Sequence, residues 1–420
     1  MKKRKKRIKP IVVLIIVIII IALITIALLF KQKNNDQINN SKSDIMVKIN
    51  TLEEANFLAN QYNLNLNITY DYSDTIEKDK IISQSIKEGS NIESGQDLNI
   101  VVSLGKLDKE KLASDKINEL GTVPIMMYHG IINKPSSETG NTGGNVDKDG
   151  YNRTAEAFRE DLEFYYKNNY RMVRLVDYVN GKIDVEYQKS PIVLTFDDGN
   201  DNNLKVNGLD SDGNIIIDEN CAVGILESFK KKYPDYKVTA TFFVNSTLFN
   251  QEEYNDKILK WLVDNGYDVG NHTENHLDIK KSTKEQVQKE IVTVYNQLEE
   301  IIPNKYVNII ALPFGSPYSK EHDNFKYVLN STYDNKTYET IAALRVGWEP
   351  EVSPFHKNFD KTFLKRVRAY DNNGKDFDIK MSFDMLENKR YISDGNVNTI
   401  VTSQNNKSII SDTNLEVIYY

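Results

Sequence analysis

From residue 121 to residue 369, short apolar runs alternate with amphipathic segments of helical length, and this alternation restricts the fold most. Parallel strands need long crossover connections, so strands separated by helices predict a parallel sheet that helices close or cover. The predicted fold class is therefore α/β. The predicted strands are 123–128, 171–175, 192–196, 238–244, 267–270, 307–312, 341–346 and 364–369. The predicted helices are 155–168, 222–232, 256–265 and 284–302, the last with a capping box of Ser282 and Glu285.

Residues 11–30 form an apolar run with Thr25 as the only polar side chain. As a helix, this run is roughly 30 Å long, which matches the hydrocarbon thickness of a bilayer. Residues 1–10 are strongly basic, which predicts a cytoplasmic N-terminus, a single-pass transmembrane helix and an extracellular remainder. A cleaved signal peptide is less favoured, because no small-residue cleavage site follows Phe30. Residues 31–44 are polar and predict a linker.

The net charge of −7 conceals two oppositely charged parts. Residues 2–9 carry seven basic side chains, so the remainder has 53 − 7 = 46 basic against 60 acidic groups, a net charge of −14. A body this acidic is a poor partner for nucleic acid. The single cysteine excludes an intrachain disulfide and a cysteine-based zinc site. Any histidine-based metal site must use His129, His272, His276, His322 or His356.

Residues 45–105 have the pattern of a small separate domain, with a predicted helix at 51–60 and strands at 64–70, 80–85 and 98–103. The residues Tyr72-Ser73-Asp74-Thr75, Ile81-Ile82-Ser83-Gln84-Ser85, Glu88-Gly89 and 98–103 resemble, in that order, a PASTA module. The resemblance implies a helix on a three-stranded sheet and an affinity for peptidoglycan; the alternative is a simple spacer. The charged residues 106–120 predict a linker to a domain at 121–420.

Two motifs with metal-binding chemistry lie in the larger domain. Asp197 and Asp198 follow the buried strand 192–196, at the strand end where α/β barrels place reactive groups. A bound cation offsets the repulsion between adjacent carboxylates, whereas the alternative is a solvated acidic turn. His272 and His276 are four residues apart, which predicts two imidazoles on one side of a helical turn. One aspartate with two histidines and an open position is typical of a catalytic metal site.

The segments Thr195-Phe196-Asp197-Asp198-Gly199 and His272-Thr273-Glu274-Asn275-His276 together resemble the NodB-homology polysaccharide deacetylases, carbohydrate esterase family four. The resemblance covers residues 122–370 and implies a distorted (β/α) barrel. It also implies that Asp197 is the general base and that Asp198, His272 and His276 bind a divalent metal. Zinc is the default ion for these donors, with cobalt and nickel as alternatives.

The third family motif is incomplete in this chain. Its proline and aromatic residue match Pro313 and Phe314, which makes the Phe314 N–H the predicted oxyanion donor. Ala311 stands where the family has an arginine that orients the catalytic base. Arg366 or Arg368 is the predicted substitute, and a surface position is the alternative for either.

The general acid is predicted to be His129, with His356 as the alternative. His129 ends the segment Val123-Pro124-Ile125-Met126-Met127-Tyr128-His129, which resembles the opening strand of the branch that deacetylates poly-N-acetylglucosamine. The predicted function is metal-dependent N-deacetylation of N-acetylglucosamine residues in a cell-wall or extracellular polysaccharide, with peptidoglycan favoured. The alternatives are deacetylation of poly-N-acetylglucosamine and a weak or inactive domain that only binds the wall.

Overall fold

The computed structural model describes residues 45–347, 349–373 and 378–420. The predicted basic tail (1–10), transmembrane helix (11–30) and linker (31–44) lie outside the described residues. Within the described ranges, no helix is both long and apolar enough to span a bilayer. The chain divides into two compact units, the first containing residues 45–68 and 79–102 and the second residues 69–78 and 103–420.

The small N-terminal domain is a helix on a three-stranded sheet, as the sequence predicts. Its elements are α1 (Leu52–Tyr62), β1 (Asn65–Asp71), β2 (Ile81–Gln84) and β3 (Asp97–Ser103), and the strand order is β1-β3-β2. Helix α1 begins where the Thr51 side chain accepts a hydrogen bond from Glu54 N and ends at Asn63 in the left-handed region. Ala55 and Leu58 of α1, with Leu98 and Ile100 of β3, are buried and form its core.

The second unit alternates strands and helices along most of its length. Its helices are α2 (Lys109–Ser114), α3 (Ala155–Lys167), α4 (Leu175–Val179), α5 (Ala222–Lys232), α6 (Asn255–Asp264), α7 (Lys284–Ile301), α8 (Phe325–Leu329) and α9 (Ile379–Leu386). Its strands up to the middle of the chain are β4 (Thr122–Val123), β5 (Ile125–Tyr128), β6 (Ile131–Ile132), β7 (Arg153–Thr154), β8 (Tyr170–Met172), β9 (Ser190–Phe196), β10 (Val206–Leu209) and β11 (Ile215–Ile217). The later strands are β12 (Thr241–Val244), β13 (Asp268–Asn271), β14 (Ile309–Ala311), β15 (Asn330–Tyr333), β16 (Lys336–Glu339), β17 (Ala342–Leu344), β18 (Glu351–Val352), β19 (Val367–Arg368), β20 (Thr399–Thr402) and β21 (Glu416–Tyr419).

An eight-stranded parallel sheet forms the centre of this unit, in the order β17-β14-β13-β12-β9-β5-β19, with β8 paired to β9. The sheet curls, because the segment before β19 also bonds to the far edge: Leu364 N donates to Ala343 O, and Arg345 N donates to Leu364 O. Both edges of the sheet therefore meet at one segment. This confirms the predicted α/β class with a distorted barrel.

Three adjacent strands, β5, β9 and β12, pack together at the centre of the core. All seven residues of β9 are buried, as expected for a strand covered on both faces. The rings of Tyr128, Phe196 and Phe242 stack across β5, β9 and β12 with centroid separations of 5.2 and 4.9 Å. Burying one such ring contributes about 1.5–3 kcal/mol. Because the strands are parallel, their carboxyl ends open on the same rim, where Asp197 and His129 follow.

Three local predictions need correction. Pro124 has no N–H to donate, and the predicted strand 123–128 is divided there into β4 and β5. The capping box of α7 uses Thr283 and Gln286 rather than Ser282 and Glu285. Residues 106–120, predicted to be a linker, contain α2, and beyond it Glu119 is fully buried and accepts a hydrogen bond from Val401 N.

Candidate active site

Asp198, His272 and His276 converge at the carboxyl ends of β9 and β13. The Nε2 atoms of His272 and His276 lie 3.2 and 3.6 Å from Asp198 Oδ1. One ligand atom from each residue lies within 4.8 Å of the others, a spacing that suits a single metal ion. The structure thus brings together the three side chains that the sequence predicts as metal ligands.

A non-helical turn brings the two histidines together, so the prediction that they share a turn of helix is wrong. Residues 272–276 follow β13 without forming a helix, and Thr273 and His276 have φ values of +62° and +55°. Positive φ is costly for residues other than glycine, so the surrounding contacts must hold the turn. Glu290 of α7 does so, because its carboxylate accepts from Asn275 N (2.7 Å) and Asn275 Nδ2 (2.9 Å).

The ring of His272 is oriented for a cation. Its Nδ1 lies 2.8 Å from Ala311 O, and because a carbonyl can only accept, Nδ1 carries the proton and Nε2 presents a lone pair. Nε2 is buried and has no hydrogen-bond partner in the described residues, although it faces Asp198. Burial opposes protonation, but Asp198 and Asp197 outweigh it and raise the pKa of His272. A site with this negative potential and an unpaired lone pair fits a divalent metal ion.

Asp197 is buried and paired with an equally buried arginine. Arg366 donates from Nη1 to Asp197 Oδ1 and from Nη2 to Oδ2, both at 2.7 Å. Arg366 Nε donates to Arg345 O, which fixes the plane of the guanidinium. Burial opposes ionisation of Asp197, but Arg366 and the neighbouring histidines outweigh it and lower the pKa. Asp197 is therefore an ionised carboxylate that is held in one orientation.

Arg366 thus pairs with Asp197, whereas Ala311 occupies the motif position at which the resemblance predicts an arginine. Ala311 is buried in β14 and contributes its carbonyl to His272. Arg368, the other candidate, turns away from Asp197. Its guanidinium lies 4.6 Å from the ring centre of Tyr151, and its Nη1 donates to Asp149 O.

His129 directly follows β5, at the same rim of the sheet as Asp197. Its Nε2 is 4.0 Å from Asp197 Oδ2, and its Nδ1 is buried with no hydrogen-bond partner in the described part of the chain. Burial lowers the pKa of His129 despite Asp197 and Asp198. His356, the alternative acid, instead bridges to Ile410 and accepts from Asn358 N through Nδ1.

Phe314 lines the same cavity as the predicted metal ligands and has a backbone N–H that is not used within the described fold. Its φ of +57° turns the chain out of a 3₁₀ geometry within Pro313–Gly315, and its N–H has no acceptor among the described residues. The ring is exposed and packs edge-on against His276 at 4.4 Å. This arrangement is the one expected of an oxyanion donor.

One open cavity of about 340 Å³ is lined by His129, Asp197, Asp198, His272, His276 and Phe314. The sequence analysis missed two buried residues that support it. Asn203 donates from Nδ2 to His129 O at 2.7 Å and accepts from Asn200 N, which ties the loop after β5 to the loop after β9. Glu290 supports the histidine turn. The run of Asn and Asp residues at 200–203 was a sequence signal for Asn203. No local sequence pattern marks Glu290.

Comparisons with known families agree with this geometry. Residues 184–332 match the family model described as polysaccharide deacetylase. Residues 47–104 match the model described as PASTA domain. The chain therefore carries both domains, and the sequence prediction of a polysaccharide deacetylase enzyme is confirmed at this level.

Several solved structures of deacetylases are similar at low identity. A Streptococcus pyogenes deacetylase PplD in complex with acetate has 16% identity and a TM-score of 0.42, covering 60% of this chain and 93% of its own. A de-N-acetylase from Aggregatibacter actinomycetemcomitans has 14% identity and a TM-score of 0.38, covering 58% and 93%. A peptidoglycan deacetylase PdaC from Bacillus subtilis has 22% identity and a TM-score of 0.22, covering 31% and 52%. None of these likenesses assigns a role to a residue of this chain.

Proposed function

We propose that the polysaccharide deacetylase domain hydrolyses the N-acetyl groups of N-acetylglucosamine-type residues, with a divalent metal ion as cofactor. The proposal rests mainly on one cavity at which two sets of side chains converge. One is the Asp197–Arg366 pair, which presents an oriented base. The other is the convergent set Asp198, His272 and His276, which presents metal donors.

The chain's own residues supply proton transfer and charge stabilisation. Water adds to the amide carbonyl carbon, the C–N bond breaks, and acetate and a free amine are released. Asp197 accepts the proton of the attacking water. That proton passes to His129, whose Nε2 is 4.0 Å from the same carboxylate, and His129 delivers it to the departing nitrogen as the C–N bond breaks. The Phe314 N–H donates to the oxygen that gains negative charge.

Asp198, His272 and His276 would hold the metal and leave positions open for water and substrate. When bound, the cation supplies Lewis acidity that polarises the water and the amide carbonyl. Zinc is the ion we expect for one carboxylate and two imidazoles, and cobalt or nickel are the alternatives.

Peptidoglycan is the polymer we favour, because a PASTA domain with affinity for the wall would raise the local concentration of substrate. An N-terminal membrane anchor at 11–30, with the catalytic domain outside the cell, belongs to the same proposal and is consistent with a wall substrate. Poly-N-acetylglucosamine is the alternative substrate, and the segment that ends in His129 supports it.

A weak or inactive domain that only binds the wall is the other alternative, and Ala311 is its main support. The bidentate pairing of Arg366 with Asp197 argues against it, because the base is oriented without the usual arginine.

Acetate release from purified peptidoglycan and from poly-N-acetylglucosamine, measured side by side with zinc-loaded protein, tests the proposal. We expect release from both, with the higher rate on peptidoglycan. Higher release from poly-N-acetylglucosamine would favour the alternative substrate. No release from either polymer, with wall binding intact, would leave the wall-binding alternative.

A further inference from the structure

Asn152 lines the candidate cavity on the loop between β6 and β7, and its backbone is fixed by one aspartate. The Asp147 carboxylate accepts from Tyr151 N at 3.1 Å and from Asn152 N at 2.7 Å. Val146 N also donates to Asn152 O at 2.9 Å. The loop therefore presents Asn152 to the cavity in one backbone conformation.

The side chain of Asn152 is oriented by the backbone of the loop between β5 and β6. Its Oδ1 accepts a hydrogen bond from Gly130 N at 3.0 Å, and because an N–H only donates, the carbonyl end of the amide must face Gly130. A Cβ at residue 130 would lie 2.4 Å from that oxygen, so any larger residue there would displace the Asn152 amide. The amide nitrogen Nδ2 then faces away from Gly130, and it has no hydrogen-bond partner among the described residues.

Two further contacts stiffen this wall. Arg368 packs on the ring of Tyr151 at 4.6 Å and donates to Asp149 O at 2.9 Å. The Tyr151 ring meets His129 edge-on at 5.0 Å. A donor held by such contacts loses little conformational freedom when it binds a ligand.

The cavity has few donors for a sugar. Its volume of about 340 Å³ lies near the lower end of small-molecule sites, which suits one monosaccharide unit with its neighbours outside. Asp197 and Asp198 can only accept hydrogen bonds, and His272 and His276 face the metal position. The amide of Asn200 also lines the cavity, but no hydrogen bond to the described residues orients its side chain.

We propose that Asn152 is a specificity-determining residue whose Nδ2 donates a hydrogen bond to an oxygen of the N-acetylated sugar unit in the cavity. This inference rests on the proposed function, because it takes an N-acetylglucosamine unit as the ligand. It assigns recognition of the sugar to Asn152, whereas the residues of the proposed mechanism act on the acetyl amide.

Binding of a tetramer of N-acetylglucosamine, measured by calorimetry with a chelator present to prevent turnover, tests this role. Asn152→Ala is expected to weaken binding about tenfold, the usual effect of one lost hydrogen bond at a buried site. Asn152→Asp keeps an acceptor for Gly130 N but reverses the polarity of the cavity-facing atom, and we expect binding at least about fivefold weaker than in the original protein. Asn180→Ala, which removes an exposed amide bonded within its own turn, is the matched control and should bind normally.

Wild-type binding by Asn152→Asp would show that only the clamp to Gly130 matters and would overturn the proposal. The proposal is also overturned if Asn152→Ala binds the tetramer normally, or if the unmodified protein does not bind the tetramer. If Asn152→Ala does not fold, Asn152→Asp decides alone, because it retains the clamp. Binding needs no turnover, so tight binding without acetate release would contradict the proposed function and leave the role of Asn152 supported by the variants.

Discussion

Arg366 pairs with Asp197, although the motif position expected to carry an arginine holds Ala311. The sequence analysis left Arg366 and Arg368 equivalent, since they are two residues apart and alternate residues of a strand share one face. The structure separates them because β19 contains only Val367 and Arg368. Arg366 lies before the regular strand, where its Nε donates to Arg345 O and its guanidinium turns towards Asp197.

Replacing Arg366 with methionine should be strongly destabilising, because it leaves the buried Asp197 carboxylate unpaired. We expect a loss of about 3–5 kcal/mol in the free energy of unfolding, measured with urea. The double variant Arg366→Met, Asp197→Asn removes both charges and should recover much of this stability without recovering acetate release. Equal stability of the single variant and the original protein would contradict the buried pair.

The two adjacent aspartates should separate metal binding from catalysis. Asp198→Ala is expected to lose bound zinc and activity together, whereas Asp197→Asn should retain zinc and lose about 10²–10⁴ in rate. Zinc content by elemental analysis and acetate release from N-acetylglucosamine oligomers measure the two effects. Loss of zinc from Asp197→Asn in a folded protein would contradict this division of roles.

Helix α7 supports the metal site from outside the cavity. The spacing of His272 and His276 was enough to predict their convergence, but not the turn that brings it about. That turn depends on Glu290, about fifteen residues later in the chain and buried on α7. No local pattern marks a glutamate as a partner of a distant turn, so a single sequence cannot reveal it.

Glu290→Ala should therefore weaken zinc binding without removing any ligand. We expect about a tenfold to hundredfold loss of affinity, which is typical when a partner that orients ligands is removed. Competition with a fluorescent zinc chelator measures it. Glu285→Ala, an exposed change on the same helix, is the control; identical affinity in both variants would show that Glu290 does not hold the turn.

The barrel and the small N-terminal domain were predictable because their strands and helices follow hydrophobic periodicity. Contacts that join distant segments of the larger unit were not predictable in this way. Glu119, predicted to lie in a linker, is buried beside the buried Asp394 and the half-buried Asp184, and one carboxylate oxygen of each lies within 4.8 Å of the others. These residues are far apart in the chain, so only the closed fold reveals the cluster.

This cluster should make the stability of the protein fall as pH rises. Burial, with the nearby Asp394 adding to it, raises the pKa of Asp184 to about 7. The folded protein therefore keeps a proton that the unfolded chain releases near pH 4. The stabilisation is complete below about pH 4 and is lost as pH rises through about 7, at up to about 1.4 kcal/mol per pH unit for one proton.

Asp184→Asn removes this titration, so its free energy of unfolding should decline less between pH 5 and 8 than that of the original protein. Urea unfolding at each pH measures the difference, and Asp212→Asn, in the exposed hairpin between β10 and β11, is the control. Parallel curves for Asp184→Asn and the original protein would show that Asp184 is not protonated in the fold.

We propose that this chain is a metal-dependent N-deacetylase, and acetate release from a tetramer of N-acetylglucosamine is the decisive assay. The protein is measured as purified, after removal of metal with a chelator, and after zinc is restored. We predict that release disappears with the metal and returns with one zinc per chain. Undiminished release without metal, or no release at any metal loading, would contradict metal-dependent deacetylation by this chain.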